Sequence, residues 1–177
     1  MINRLPVWFR QDIPTAAVFN KIRELTAAGI HTVCQSAHCP NIGGCFQKKQ
    51  MAFMILGSQC SRQCRFCAVA KISRQNSGID DGEPERIARQ VMHLGLSFAV
   101  ITSVTRDDLP DGGAQQFVRT IKAIRATSAA AGIEVLIPDF QGNKEALKNV
   151  ALARPDIIAH NLETVPRLYP DIRLESE

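Results

Sequence analysis

The sequence lacks a long apolar run. None of its hydrophobic stretches approaches the roughly 18 residues that a membrane-spanning helix needs, and residues 1–14 have no apolar core of the secretory type. Hydrophobic residues at 45% and charged residues at 21% are typical of a globular protein and exclude a disordered chain. With 177 residues, the chain is long enough for one well-buried domain and short for two. We therefore predict a cytoplasmic globular protein with no membrane partner.

Acidic side chains are absent between Leu25 and Ile79. Six basic residues lie in the same stretch: Lys48, Lys49, Arg62, Arg65, Lys71 and Arg74. An iron–sulfur cluster held by thiolates is an anion, and carboxylates close to it would make its reduction less favourable. A basic face for nucleic acid or another acidic partner is the alternative. The basic residues fit both interpretations, but the missing acids fit the cluster better.

Cysteine is absent outside residues 34–67, where all six cysteines form two groups of three. The first triad is Cys34, Cys39 and Cys45, and the second triad is Cys60, Cys64 and Cys67. In a reducing compartment, clustered cysteines are metal ligands more often than disulfides. Three thiolates can hold a 4Fe–4S cluster and leave one iron open to a small molecule. A structural zinc site is the alternative, with His31 and His38 as further ligands, although zinc favours paired C-x2-C units.

Apolar periodicity alternates between strands and helices. Strands are predicted at residues 51–56, 97–103, 134–137 and 156–160. Three helices are predicted from residues 12–15 to Gly29, from Pro84 to Gly95 and over residues 144–153. A further helix is predicted along the apolar stripe of Phe117, Ile121 and Ile124, with Gly132 as its end. This order implies βαβ units and a parallel sheet. Four strands cannot close an eight-stranded barrel, so we predict an α/β fold with a partial (β/α) barrel.

Each predicted strand is followed by a polar or reactive segment. These segments are residues 57–60, 104–108, 139–142 and 161–164. In barrels and open α/β sheets, active sites gather at the carboxyl ends of the strands. The second triad begins directly after the first predicted strand, so we expect it on the face where chemistry takes place.

The spacing of the second triad, with Phe66 before its last cysteine, resembles the radical S-adenosylmethionine (SAM) superfamily. Six segments are similar to motifs of one family in it, the lipoyl synthases: residues 34–45, 53–57, 65–69, 101–113, 135–140 and 160–169. The resemblance implies two 4Fe–4S clusters. Cys60, Cys64 and Cys67 hold the one that binds and cleaves SAM. Cys34, Cys39 and Cys45 hold an auxiliary one that is consumed as the sulfur donor.

The resemblance also implies a reaction and its partners. A radical derived from SAM abstracts hydrogen at C6 and C8 of a protein-bound octanoyl group, and two sulfur atoms are inserted. The octanoyl group is carried by a lipoyl domain or a glycine-cleavage H protein, and a flavodoxin or ferredoxin supplies electrons. No nucleic-acid partner is expected. We expect Thr102, Ser103, Asn161 and Glu163 around the methionine and ribose of SAM, and Phe66 near its adenine.

The chain departs from the family pattern near its C-terminus. Lipoyl synthases are longer and place a serine from an Arg-Ser-Ser-Tyr motif on the auxiliary cluster, and that motif is absent here. We therefore expect an N-terminal helical and cluster-binding extension (residues 1–50), a radical SAM partial barrel incomplete at its C-terminus (residues 51–170), a separate tail (residues 171–177) and impaired activity from truncation. A radical SAM methylthiotransferase acting on RNA or protein is one alternative. A zinc-stabilised nucleic-acid-binding module is another.

Overall fold

The computed structural model describes residues 14–36, 39, 41–71 and 78–173. Its helices are α1 (Ala16–Ala27), α2 (Val33–Ser36), α3 (Ile42–Gln47), α4 (Glu83–His93), α5 (Ala114–Thr127), α6 (Lys144–Leu152) and α7 (Tyr169–Ile172). Its strands are β1 (His31–Thr32), β2 (Gln50–Ile55), β3 (Gln59–Cys60), β4 (Ala70–Lys71), β5 (Phe98–Ser103), β6 (Gly132–Leu136) and β7 (Ile157–Ala159). No helix in these ranges combines the length and the apolar character that crossing a membrane requires.

The main sheet has the strand order β1-β2-β5-β6-β7. Strands β2, β5, β6 and β7 are parallel neighbours, and β1 is antiparallel to β2. Each parallel strand is added on the same side of the one before it. Right-handed crossovers then place α4, α5 and α6 on one face of the sheet and leave the opposite face for a ligand. The predicted α/β fold with four parallel strands is confirmed, and the described strands form no closed barrel.

Alternation along the strands separates a core face from an open face. Phe53 of β2, Ile101 of β5 and Val135 of β6 are fully buried under the helices. Their sequence neighbours Thr102 and Leu136 point the other way and are only partly buried. The apolar positions of α4 and α5 complete the core, including Val91, Phe117, Ile121 and Ile124. The carboxyl ends of β2, β5 and β6 are thereby fixed against one another.

Several local predictions differ from the structure. Helix α5 ends at Thr127, and Gly132 begins β6 instead of closing the helix. The antiparallel strand β1, the short helices α2 and α3 and the β3–β4 pair were not predicted. Asp12 and Ile13 of the first helix start lie outside the described residues, as do His38 and Arg74.

Candidate functional site

A cleft of about 280 Å³ opens at the carboxyl ends of the parallel strands. All three cysteines of the second triad line it, which brings Cys60, Cys64 and Cys67 together as expected. The five residues predicted to contact SAM line the same cleft: Phe66, Thr102, Ser103, Asn161 and Glu163. They come from three widely separated parts of the chain, and the fold brings them to one edge of the sheet.

The loop that carries the second triad begins in strained backbone. Leu56 has φ of 67° and Gly57 has φ of 92°, which turns the chain sharply at the end of β2. The Leu56 amide donates a hydrogen bond to Glu83 Oε2 at 3.0 Å, and Gln116 Nε2 donates to the same oxygen at 2.9 Å. Glu83 is buried at the start of α4. A single buried carboxylate therefore holds this left-handed turn in place.

The same loop is closed by a short parallel pairing of β3 with β4. In this pairing Gln59 lies opposite Ala70, and Cys60 lies opposite Lys71. Residues 61–69 are held between the two strands and include Cys64 and Cys67. At the far side, the Arg65 amide donates to the Ile172 carbonyl at 3.0 Å, which ties α7 to the loop. The boundary between the partial barrel and the tail at residue 170 stays a prediction, although Ile172 of the predicted tail accepts this hydrogen bond from the triad loop.

Arg62 links the loops that follow three strands. Its side chain is 2% exposed, and it donates to Asp107 at 2.7 and 2.9 Å and to Asp139 at 2.6 and 2.7 Å. Burial opposes the charged guanidinium, but these hydrogen bonds outweigh it and hold the pKa of Arg62 above its usual range. From the sequence, Arg62 was predicted only as one of the six basic residues of the acid-free stretch. Its partners Asp107 and Asp139 lie in two of the polar segments that follow predicted strands, and this position was the sequence feature that could have identified them.

The electrostatic surroundings of the second triad are mixed. Burial raises the pKa of the Cys64 thiol, and the neighbouring Cys60 and Cys67 raise it further. Lys71 and Arg173 act in the opposite direction because their positive charges favour the thiolate. A bound metal cluster would supply the remaining stabilisation of the thiolates.

Two polar atoms of the cleft are buried without a hydrogen-bond partner among the described residues. They are the Ser103 hydroxyl oxygen and the Lys71 ammonium nitrogen. The neighbouring Thr102 hydroxyl instead donates to the Leu136 carbonyl at 2.9 Å. Buried polar groups are nearly always paired, so both atoms fit a site that takes an anionic or carboxylate-bearing ligand. This donor set, with three thiols, fits a 4Fe–4S cluster together with SAM.

The first triad lies beside a second cavity. Cys34 and Cys39 line this cavity of about 470 Å³ together with Phe19 and Arg23. Burial raises the pKa of the Cys34 thiol, a backbone hydrogen bond with Ala52 lowers it, and the Cys39 and Cys45 thiols raise it. Cys34 lies on α2, whose Val33 and Ser36 line the first cleft. The two triads therefore face neighbouring cavities.

Neither triad forms a site for a single metal ion. Within residues 14–36, 39, 41–71 and 78–173, no three His, Cys, Asp or Glu side chains converge as ligands of one ion. Thiolates on different irons of a cluster are separated by the body of the cluster, so this spacing is compatible with cluster binding.

Arg106 and Asp108 shape the loop after β5 and give a testable pH dependence. Arg106 donates to Asp108 at 2.8 and 2.7 Å, which lowers the pKa of the Asp108 carboxyl. A carboxyl with a lowered folded-state pKa stabilises the fold above its unfolded pKa of about 3.9, and this contribution is lost as the pH falls through the folded value. We expect the free energy of unfolding to fall more steeply below about pH 4 in the wild type than in Asp108→Asn. Urea titrations at several pH values measure the slopes, and equal slopes would contradict this assignment.

Comparisons with known proteins agree with this geometry. The family model of the radical SAM superfamily matches residues 54–174. A lipoyl synthase of Alkaliphilus metalliredigens is 51% identical over 99% of this chain and 60% of its own length. Lipoyl synthases of Roseiflexus sp. and Desulfotalea psychrophila are 49% and 52% identical, over 96% and 97% of this chain and 56% and 57% of their own lengths.

The chain spans somewhat more than half the length of these curated relatives. The family match covers both the triad loop and the strands that form the cleft. The chain belongs to the radical SAM superfamily, and within it the chain is similar to the lipoyl synthases.

Proposed function

We propose that the chain takes part in sulfur insertion at C6 and C8 of an octanoyl group attached to a carrier protein. The observation that carries the proposal is the second triad, which lines a strand-end cleft together with two buried polar atoms that have no hydrogen-bond partner in the described part of the chain. The identity of about 50% to lipoyl synthases favours this reaction over RNA or protein methylthiolation. The match to the radical SAM family likewise favours it over a zinc-stabilised module.

In this proposal Cys60, Cys64 and Cys67 hold a 4Fe–4S cluster and leave one iron for SAM. When bound, the cluster and SAM supply the radical chemistry that opens an unactivated C–H bond. The Ser103 hydroxyl donates to a polar group of SAM, since it has no other described partner. The half-buried Thr102 bounds the same space, while the exposed Asn161, Glu163 and Phe66 lie at its open side. The buried Arg62 holds the loops of the cleft in one arrangement.

The first triad is proposed to hold the auxiliary, sulfur-donating 4Fe–4S cluster. Cys34 lies on the same short helix as Val33 and Ser36, which line the SAM cleft. This placement leaves a short path from the auxiliary cavity to the site of hydrogen abstraction. A sulfur donor must lie close to the carbon radical, because a long-lived radical would be lost to side reactions.

The cleft also suits an aliphatic substrate. Its wall includes the apolar side chains of Val33, Met54, Leu136 and Ile137. Burial of an octanoyl chain there would stabilise the complex by roughly 0.8 kcal/mol per methylene group. We propose a lipoyl domain or a glycine-cleavage H protein as its carrier, and a flavodoxin or ferredoxin as the electron donor. Both partners are consistent with a cytoplasmic location.

Anaerobic reconstitution followed by product analysis tests this proposal. The chain is loaded with iron and sulfide, then mixed with SAM, dithionite and an octanoyl-lysyl peptide from a lipoyl domain. We expect formation of 5′-deoxyadenosine and, at low yield and detected by mass spectrometry, of peptide in which sulfur has replaced hydrogen. The proposal would be contradicted if SAM were cleaved and an RNA or protein substrate were methylthiolated while the octanoyl peptide gained no sulfur.

A further inference from the structure

We propose that Lys71 balances the charge of the cluster held by the second triad, and that its ammonium group raises the reduction potential of that cluster. The inference rests on the proposed function, because it requires a cluster on Cys60, Cys64 and Cys67. It goes further by assigning a tuning role to a residue outside the triad. Its first support is the placement of Lys71 in the fold.

Lys71 is fixed beside the triad by backbone pairing. It lies opposite Cys60 in the parallel pair of β3 and β4. Paired strands are about 4.8 Å apart, and register partners project from the same face, so the lysine side chain starts next to a cluster ligand. Its side chain then lines the cleft together with all three thiols.

The second support is the state of the ammonium group. Lys71 Nζ is buried and has no hydrogen-bond partner among the residues that the structure describes. A buried ammonium without a partner is strongly unfavourable. No acidic residue occurs between residues 25 and 79, and the cleft lining contains one carboxylate, Glu163, which is exposed. An anion bound in the cleft would compensate the charge of Lys71.

A cluster on three thiolates is such an anion. In the oxidised state, a core of charge +2 and three thiolates carry a net charge of −1, and one electron from a flavodoxin- or ferredoxin-type donor makes it −2. A nearby cation stabilises the doubly charged state more than the singly charged state. Lys71 therefore favours reduction. Arg173 lines the same cleft, but it donates to the Asn161 carbonyl at 2.5 Å and so also has a structural task.

A redox titration monitored by electron paramagnetic resonance tests the role of Lys71. The background is the full chain with Cys34, Cys39 and Cys45 changed to Ala, so that only the second triad is loaded, and SAM is omitted. In Lys71→Met we expect the ratio of reduced to oxidised cluster at a fixed potential to fall about tenfold, which corresponds to ~59 mV for a one-electron couple. In Lys71→Arg the ratio should stay within about threefold of the parent, because the charge is kept.

Lys48→Met is the matched control. Lys48 lies in the same acid-free stretch, but it is exposed and precedes the amino end of β2. The cleft lies at the carboxyl end of that strand. A strand of this length places it roughly 20 Å from the cleft, beyond the Debye length of about 8 Å at physiological ionic strength. We expect no change in the ratio, so that an effect of Lys71→Met can be assigned to local charge.

The outcomes separate this inference from the proposed function. If the parent chain holds no 4Fe–4S cluster on the second triad, the proposed function fails. If the parent is loaded and Lys71→Met titrates like the parent, only the role of Lys71 is overturned. Loss of iron in Lys71→Met and Lys71→Gln with retention in Lys71→Arg would also support charge balance. Equal loss in all three variants would show that side-chain shape decides loading and would overturn it.

Discussion

Replacing Arg62 with Met is expected to lower the free energy of unfolding by about 3–5 kcal/mol, the usual result of removing one side of a buried ion pair. The variant removes the guanidinium that lies 2.7 Å from the Asp107 carboxylate and 2.6 Å from the Asp139 carboxylate. Asp139 is 7% exposed and Asp107 is 19% exposed, so water compensates neither carboxylate fully. Urea unfolding followed by circular dichroism measures the loss.

Arg119→Met provides the matched control. Arg119 pairs with Asp81 at 2.6 Å, but Asp81 is 86% exposed. Exposed ion pairs contribute about 0–1 kcal/mol, so the control should lose little stability. The triple variant Arg62→Met, Asp107→Asn and Asp139→Asn should recover part of the loss, because no uncompensated charge remains. Equal losses in Arg62→Met and Arg119→Met would contradict the role of Arg62 as the central link between the loops.

Replacing Cys64 with Ala is expected to abolish SAM cleavage. The variant should lose about four irons per chain, and the cleavage rate should fall ~1000-fold or more, because the two remaining thiolates of the second triad cannot hold the cluster that binds SAM. The chain itself should stay folded, since Cys64 is only partly buried and lies in a loop. Iron analysis and chromatography of 5′-deoxyadenosine measure the two effects.

Cys34→Ala is the matched variant in the first triad. It should lose a similar amount of iron, but SAM cleavage should continue while sulfur insertion stops. This contrast separates the roles of the two triads, because both variants remove one partly buried thiol. Loss of SAM cleavage in Cys34→Ala, or its survival in Cys64→Ala, would show that the roles were assigned to the wrong triads.

Local sequence patterns predicted the parallel strands and the edge of the sheet at which the cleft lies. Apolar periodicity identified β2, β5, β6 and β7, because each carries a short apolar run. The run contains buried and half-buried residues in β2, β5 and β6, whereas Ile157 and Ile158 of the outer strand β7 are exposed. The strand-end rule then placed the second triad on the same side of the sheet as residues 104–108 and 161–164, and members of all three segments line the cleft. Parallel sheets make this rule effective, since all carboxyl ends meet at one edge.

The remaining features depend on contacts that local patterns do not encode. Strands β1, β3 and β4 have two residues each, too few to show a period. The partners of Arg62 lie 45 and 77 residues away, so its burial follows from tertiary packing. Helix α5 ends at Thr127 before any glycine, because Ser128 leaves the helical conformation with φ of −143°. Gly132 is instead the first residue of β6.

The most direct test of the central claim is whether SAM alters the cluster held by Cys60, Cys64 and Cys67. The measurement is the electron paramagnetic resonance spectrum of the dithionite-reduced chain, with Cys34, Cys39 and Cys45 changed to Ala, before and after addition of SAM. If one iron is open and lies in the cleft, SAM should change the signal, and Cys64→Ala should give no such signal. A fully loaded 4Fe–4S cluster with a spectrum unchanged by SAM would contradict the account.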